Sequence, residues 1–98
     1  MVLFAVPGAF TPTCSERHLP GFVARADELL AAGADVIACV SVNDVFVMDA
    51  WGKQSDASQI VMLADGMGEF AQATGMTVDF SARGLGIRSD RYLSLIHI

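Results

Sequence analysis

The chain of 98 residues carries two cysteines and two histidines, and one of the thiols stands where it could act as a nucleophile. Cys14 closes the run Val6-Pro7-Gly8-Ala9-Phe10-Thr11-Pro12-Thr13-Cys14, between an apolar strand-like stretch and an amphipathic helical pattern. A thiol at a helix N-terminus meets unpaired backbone N–H groups and the positive end of the helix dipole. Both favour the thiolate, the reactive form of sulfur. Thr11, three residues earlier, brings a hydroxyl that can accept from a substrate O–H and donate to the thiolate. Pro7 and Pro12 stiffen the loop and shield the thiol from water. Against this stands the ordinary fate of a free cysteine, a small buried hydrophobe, and of a threonine in a turn.

The other reactive residues give weaker signals. His18 lies four residues after Cys14, so one helical turn brings the two together. A Cys/His metal pair is a poor reading, because zinc wants three or four protein ligands and neither Cys39 nor His97 has matching spacing. A positional role for His18 or plain packing fits better. Cys39 sits inside an apolar run and reads as core filler; the sharper reading is a resolving thiol for Cys14, which would require it to leave the core. Arg88 and Arg91 come just before the last apolar stretch. A guanidinium near a thiolate lowers its pKa and stabilises developing negative charge, whereas a solvated pair with Asp90 is the plain alternative. Gly66-Met67-Gly68 and Gly84-Leu85-Gly86 lack a phosphate-loop pattern and read as turns.

These residues must be positioned by a single small domain. Hydrophobic residues make up 53% and charged residues 17%, which predicts a packed core. The net charge of −5 argues against nucleic acid, which selects a basic stripe, and against attraction to anionic membrane. No apolar run reaches the length of a membrane span, and Met1–Val6 lacks the features of a signal peptide. Val2–Val6 reads as a buried strand that Pro7-Gly8 breaks. Phe22, Val23, Ala26, Leu29 and Leu30 repeat with helical spacing, with Gly33 as the stop. Pro20 falls within that pattern, so the first turn around Cys14–Leu19 is separate or kinked. Val36–Val42 is a second buried strand, with Asn43 and Asp44 as candidate caps of a helix through Phe46 and Trp51. Ile60–Ala64 is a third strand, Asp65 a cap for a short helix ended by Gly75, 77–88 a loop, and Tyr92–Ile98 a fourth strand. This alternation predicts an α/β fold with a largely parallel central sheet and flanking helices. Sites in such sheets lie beyond the carboxyl ends of strands, and Cys14 follows the first one.

The segment Val6–Phe22, VPGAFTPTCSERHLPGF, resembles the active-site segment of peroxiredoxins, with Pro7, Thr11 and Cys14 in the pattern Pro-x-x-x-Thr/Ser-x-x-Cys. His18–Phe22 is similar to the type II, peroxiredoxin-five-like subgroup. Cys39–Asp44, Phe46–Gly52, Leu63–Gly66 and Gly84–Tyr92 extend the match. The resemblance implies a thioredoxin-like fold and thiol peroxidase activity. Cys14 would be the peroxidatic cysteine, Thr11 a partner of thiolate and peroxide, Pro7 a shield and Arg91 the active-site arginine. Gly8, Phe10 and His18 would line or support the substrate site. Substrates would be hydrogen peroxide or organic hydroperoxides, and the reductant glutathione with glutaredoxin, or thioredoxin. No cofactor and no metal is implied.

Set against the family pattern, the chain is expected to lack N- and C-terminal parts and to hold an incomplete thioredoxin-like redoxin domain over residues 1–92. Leu93–Ile98 is expected to be an atypical, artefactual end. A homodimer is expected of the full-length protein, with Phe46–Trp51 near the interface, and the compartment is expected to be cytoplasmic. The alternatives are a thioredoxin-fold disulfide reductase and a non-catalytic thioredoxin-fold interaction module. The first is disfavoured because Thr11 stands where a Cys-x-x-Cys motif needs its first cysteine.

Overall fold

The computed structural model describes residues 1–11 and 19–95. Its elements are β1 (Val2–Ala5), α1 (Leu19–Ala31), β2 (Ile37–Ser41), α2 (Val45–Gln54), β3 (Val61–Ala64), α3 (Glu69–Thr74), β4 (Thr77–Asp79), a 3-10 turn (Ser81–Arg83), β5 (Ile87–Ser89) and β6 (Tyr92–Leu95). Four strands form one sheet in the order β3-β2-β1-β6. β1 pairs in parallel with β2, Val2 opposite Ile37 and Ala5 opposite Val40. β2 pairs in parallel with β3, and β6 returns antiparallel on the far side of β1, with Tyr92 opposite Ala5.

The apolar runs of β1 and β2 are buried on both faces, and alternation divides them between two clusters. Val2, Phe4, Val6, Ile37 and Cys39 face the side covered by α1 and α2, where Leu19, Ala26, Met48 and Trp51 complete the larger core. The strand order makes both crossovers step the same way, so right-handed connections put both helices on that face. Helix α1 presents Leu19, Phe22, Val23, Ala26 and Leu29, a helical spacing, and Phe22 stacks on Phe4 with ring centroids 3.9 Å apart. Leu3, Ala5, Ala38 and Val40 face the other side, with Met1 and Tyr92 packed against them.

The helix ends follow the sequence signals. Gly33 stops α1 at φ 110°, and Gly75 ends α3 at φ 71°. The Asp65 carboxylate accepts from the Phe70 and Ala71 amides and so caps α3. Asp44 caps α2 by accepting from the Val47 amide, which releases Asn43 for another task. Pro20 stands in the first turn of α1, where its missing N–H costs nothing; the turn before Leu19 lies outside the described residues. Residues 77–88 are not plain loop as expected. β4 and β5 form a separate antiparallel hairpin, Thr77 opposite Ser89, closed by the 3-10 turn. Three-residue strands are too short to show a period. Trp51 is 1% exposed and belongs to the core, whereas Phe46, five residues earlier and so on another face of the helix, is 82% exposed.

That contrast sets a stability test within one helix. Trp51→Ala is expected to cost about 3–5 kcal/mol by opening a core cavity, and Phe46→Ala to stay within about 0.5 kcal/mol. Urea unfolding followed by circular dichroism checks both.

Candidate active site

The chain leaves the sheet at Pro7. Up to that point β1 donates regularly to β2, Val2 N–H to the Val36 carbonyl and Val6 N–H to the Val40 carbonyl. Pro7 has no N–H, and the strand gives way to a turn at Gly8–Thr11. The Gly8 carbonyl accepts both the Thr11 amide at 3.4 Å and the Thr11 hydroxyl at 2.6 Å. Gly8 is buried, and a Cβ there would lie 3.0 Å from Thr11 Cγ2 and 3.4 Å from Arg88 Nη1, so only glycine fits without displacing them. Phe10 takes φ 63°, the left-handed region that a bulky residue rarely adopts. Its half-exposed ring tilts against Trp51 with centroids 6.5 Å apart.

The Thr11 hydroxyl has one proton, and a carbonyl oxygen can only accept. The 2.6 Å bond to Gly8 therefore commits that proton to the backbone and leaves the lone pairs of Oγ1 as its free function. While that bond holds, Thr11 is set to accept from a substrate O–H.

Two further side chains hold the start of the loop: Asn43, offered by the sequence only as a helix cap, and Arg88, offered as a guanidinium near the thiolate or a solvated partner of Asp90. Asn43 Oδ1 accepts the Ala9 amide at 2.9 Å and the hydroxyl of fully buried Ser41 at 2.6 Å. Arg88 reaches across from β5, donating from Nε to the Leu85 carbonyl and from Nη1 to the Val42 carbonyl, each at 2.9 Å. Arg88 is thus a half-buried brace and not a solvated partner of Asp90. A signal for Asn43 did exist: Asn43 and Asp44 are both cap formers, and a helix needs only one. Nothing in the sequence could name the carbonyls that Arg88 meets.

Arg91 directly precedes β6, and the antiparallel register of β6 on β1 carries its backbone to the edge where the loop begins. Its amide donates to Asp90 Oδ1, and the residue is exposed. Neighbouring Tyr92 has its phenol pKa pushed up, by burial first and by the Asp65 carboxylate second. Pro7, Gly8, Phe10, Thr11 and the Arg91 backbone therefore share the carboxyl end of β1. Cys39 does not join them: it is fully buried in β2, opposite Phe4 on one side and Met62 on the other. Cys14 and His18 lie outside the described residues.

Comparison with known proteins follows the same lines. The family described as Redoxin matches residues 1–97. Peroxiredoxin-2E, chloroplastic, of Arabidopsis thaliana is 55% identical over 97 residues, which is 96% of this chain and 42% of that protein. Peroxiredoxin-2B of the same plant is 50% identical, over 98% of this chain and 60% of that protein. Reduced Prx3 in complex with H2O2 from Vibrio vulnificus superposes with a TM-score of 0.94 at 58% identity, covering 97% of this chain and 61% of that one. Peroxiredoxin 5 from Alvinella pompejana gives a TM-score of 0.89 at 45% identity, covering 97% and 62%. The chain thus spans about half the length of the curated relatives it matches. The Redoxin match over residues 1–97, the peroxiredoxin-2 relatives and the superposition of nearly all of this chain on peroxiredoxin structures place it in the redoxin family, among its type II peroxiredoxins.

Proposed function

We propose that this chain carries the peroxide-reducing site of a thiol-dependent peroxidase, with Cys14 as the peroxidatic cysteine. The observation that supports this most is the Gly8–Thr11 turn, which fixes the Thr11 hydroxyl as an acceptor three residues before Cys14. A peroxide has an O–H to give such an acceptor. The Cys14 thiolate attacks the oxygen bearing that hydrogen, an S–O bond forms and the O–O bond breaks. The leaving hydroxide or alkoxide departs with the electron pair and takes a proton from solvent, giving water or alcohol. Sulfur loses two electrons and becomes a sulfenic acid. Arg91 and backbone N–H groups stabilise the charge spread over sulfur and leaving oxygen. Pro7 shields the site, Gly8 lets the loop fold closely, and Phe10 and His18 border it.

A thiol then condenses with the sulfenic acid, releasing water and leaving a mixed disulfide that a second thiol resolves. Glutathione with glutaredoxin, or thioredoxin, is the proposed reductant. Cys39 is read as core, because its place within β2 encloses the sulfur. A homodimer through the exposed start of α2, at Val45 and Phe46, and a reducing, cytoplasmic compartment complete the proposal. Among the described residues no helix is long and apolar enough to cross a membrane.

Intact-mass measurement after one equivalent of hydrogen peroxide with dimedone is expected to show one adduct. The adduct should vanish in Cys14→Ser and persist in Cys39→Ala; its absence from the parent chain would sink the assignment. Thr11→Val is expected to slow adduct formation roughly a hundredfold, since it removes the acceptor that orients the peroxide. Thr11→Ser, which keeps the hydroxyl, should recover most of that loss in stopped-flow measurement.

A further inference from the structure

The hydrogen bonds at the end of β1 show what makes the chain turn there. The rungs from β1 to β2 run from Val2 to Val36 and from Val6 to Val40. By the same step, the next rung would join the Gly8 amide to the Val42 carbonyl. That carbonyl is instead occupied by Arg88 Nη1, 2.9 Å away, and the guanidinium lies so close to Gly8 that a Cβ there would be 3.4 Å from it. One residue on, the Ala9 amide finds the side-chain oxygen of Asn43 where a strand would offer main chain. Ser41, buried beneath, donates to the same oxygen. The Asn43 amide donates back to the Ser41 carbonyl, and the Asp65 amide donates to it too. The Ser41 carbonyl thus ties the backbone of Asn43 to the residue that follows β3.

We propose that Arg88 and Asn43 are positioning residues that replace the last rungs of the ladder with side-chain bonds, and so set where Thr11 stands and where the run to Cys14 begins. This rests on the peroxidase reading above. Arg88 occupies the acceptor that would let β1 continue, and Asn43 takes the donor of the first residue to leave. Between them Gly8 and Ala9 are fixed, and the Gly8 carbonyl that orients the Thr11 hydroxyl is fixed with them. Neither residue touches the peroxide. Arginine suits the first post, because Nε and Nη1 bond two carbonyls, Leu85 and Val42, on different segments in one planar fork. Lysine presents one ammonium at the end of a flexible stem and no such fork.

The test compares two electrophiles on the full chain. Hydrogen peroxide must be oriented for in-line attack, whereas iodoacetamide needs only an accessible thiolate. Rates of dimedone-trapped oxidation and of iodoacetamide alkylation at Cys14 are measured by intact mass, at a pH where alkylation has reached its plateau. Urea midpoints are recorded alongside. Asn43→Ala and Arg88→Met are each expected to slow oxidation roughly tenfold to a hundredfold, since small misplacements at a reacting centre cost that much. Alkylation at the plateau should change by no more than about twofold, because the thiolate itself is untouched. Asn43→Asp keeps an acceptor oxygen for Ala9 and Ser41 and should recover most of the oxidation rate; Arg88→Lys should not. Oxidation at the parent rate in both disruptive variants overturns the inference alone. So does an equal fall in both reactions, or a loss in Asn43→Asp as deep as in Asn43→Ala. A parent chain that reacts with iodoacetamide but never with peroxide overturns the peroxidase reading, and this inference falls with it.

Discussion

β1 is enclosed on both faces and on both edges, and this governs the rest of the molecule. With β2 on one side, β6 on the other and no side chain facing solvent, each backbone N–H and C=O of the strand must find its partner in the ladders. The chain can turn polar groups toward a small molecule only where those ladders stop. Pro7 has no N–H to give on the β6 side, Arg88 holds the Val42 carbonyl on the β2 side, and the crowded Gly8 lets the backbone fold away at once. The site is therefore tied to the carboxyl end of β1 by hydrogen-bond accounting. The same accounting brings Arg91 there, because a strand that pairs antiparallel with β1 must start where β1 ends.

How much of this the sequence disclosed depended on whether the signal was local. Val2–Val6 is an unbroken apolar run and Val36–Val42 is apolar but for Ser41, and a strand buried on both faces looks like that. The spacing of Phe22, Val23, Ala26 and Leu29, the stops at Gly33 and Gly75 and the cap at Asp65 are all decided within a few residues, and all were legible. β4 and β5 were not, since Thr77–Asp79 and Ile87–Ser89 owe their pairing to each other and have no period of their own. The site divides in the same way. Pro7, Thr11 and Cys14 stand out by spacing along the chain. Arg88 and Ser41 do not, because what they bond to is fixed by tertiary position. Asn43 lies between: the sequence showed it as a cap former, but only the fold shows that Asp44 has the cap and Asn43 the loop.

The commitment of the Thr11 proton divides labour in any peroxide chemistry at this loop. A hydroxyl that must donate to Gly8 can only receive from a substrate. Donors to a thiolate must then come from backbone amides at the start of a helix or from a cation. The same bond makes Thr11 sensitive to the position of Gly8, and Gly8 sensitive to the side chain of Arg88. A change at Arg88, far away in sequence, thereby reaches the Thr11 hydroxyl through Gly8.

The loop conformation is a close balance between one strained residue and a few modest contacts. A phenylalanine at φ 63° costs on the order of 1–3 kcal/mol relative to ordinary backbone. The tilted pair with Trp51 returns about 0.5–1.5 kcal/mol beyond simple burial. Each hydrogen bond, Ala9 to Asn43 and Thr11 to Gly8, contributes about 0.5–1.5 kcal/mol net. Together these are of the same order as the strain, and no single one of them equals its upper range. Losing the Trp51 ring would remove a core anchor and the support for Phe10 in one step. The turn is therefore held jointly by the hydrophobic core and the polar clamp, and this explains why a residue so badly suited to left-handed backbone is kept at Phe10: its ring connects the loop to α2.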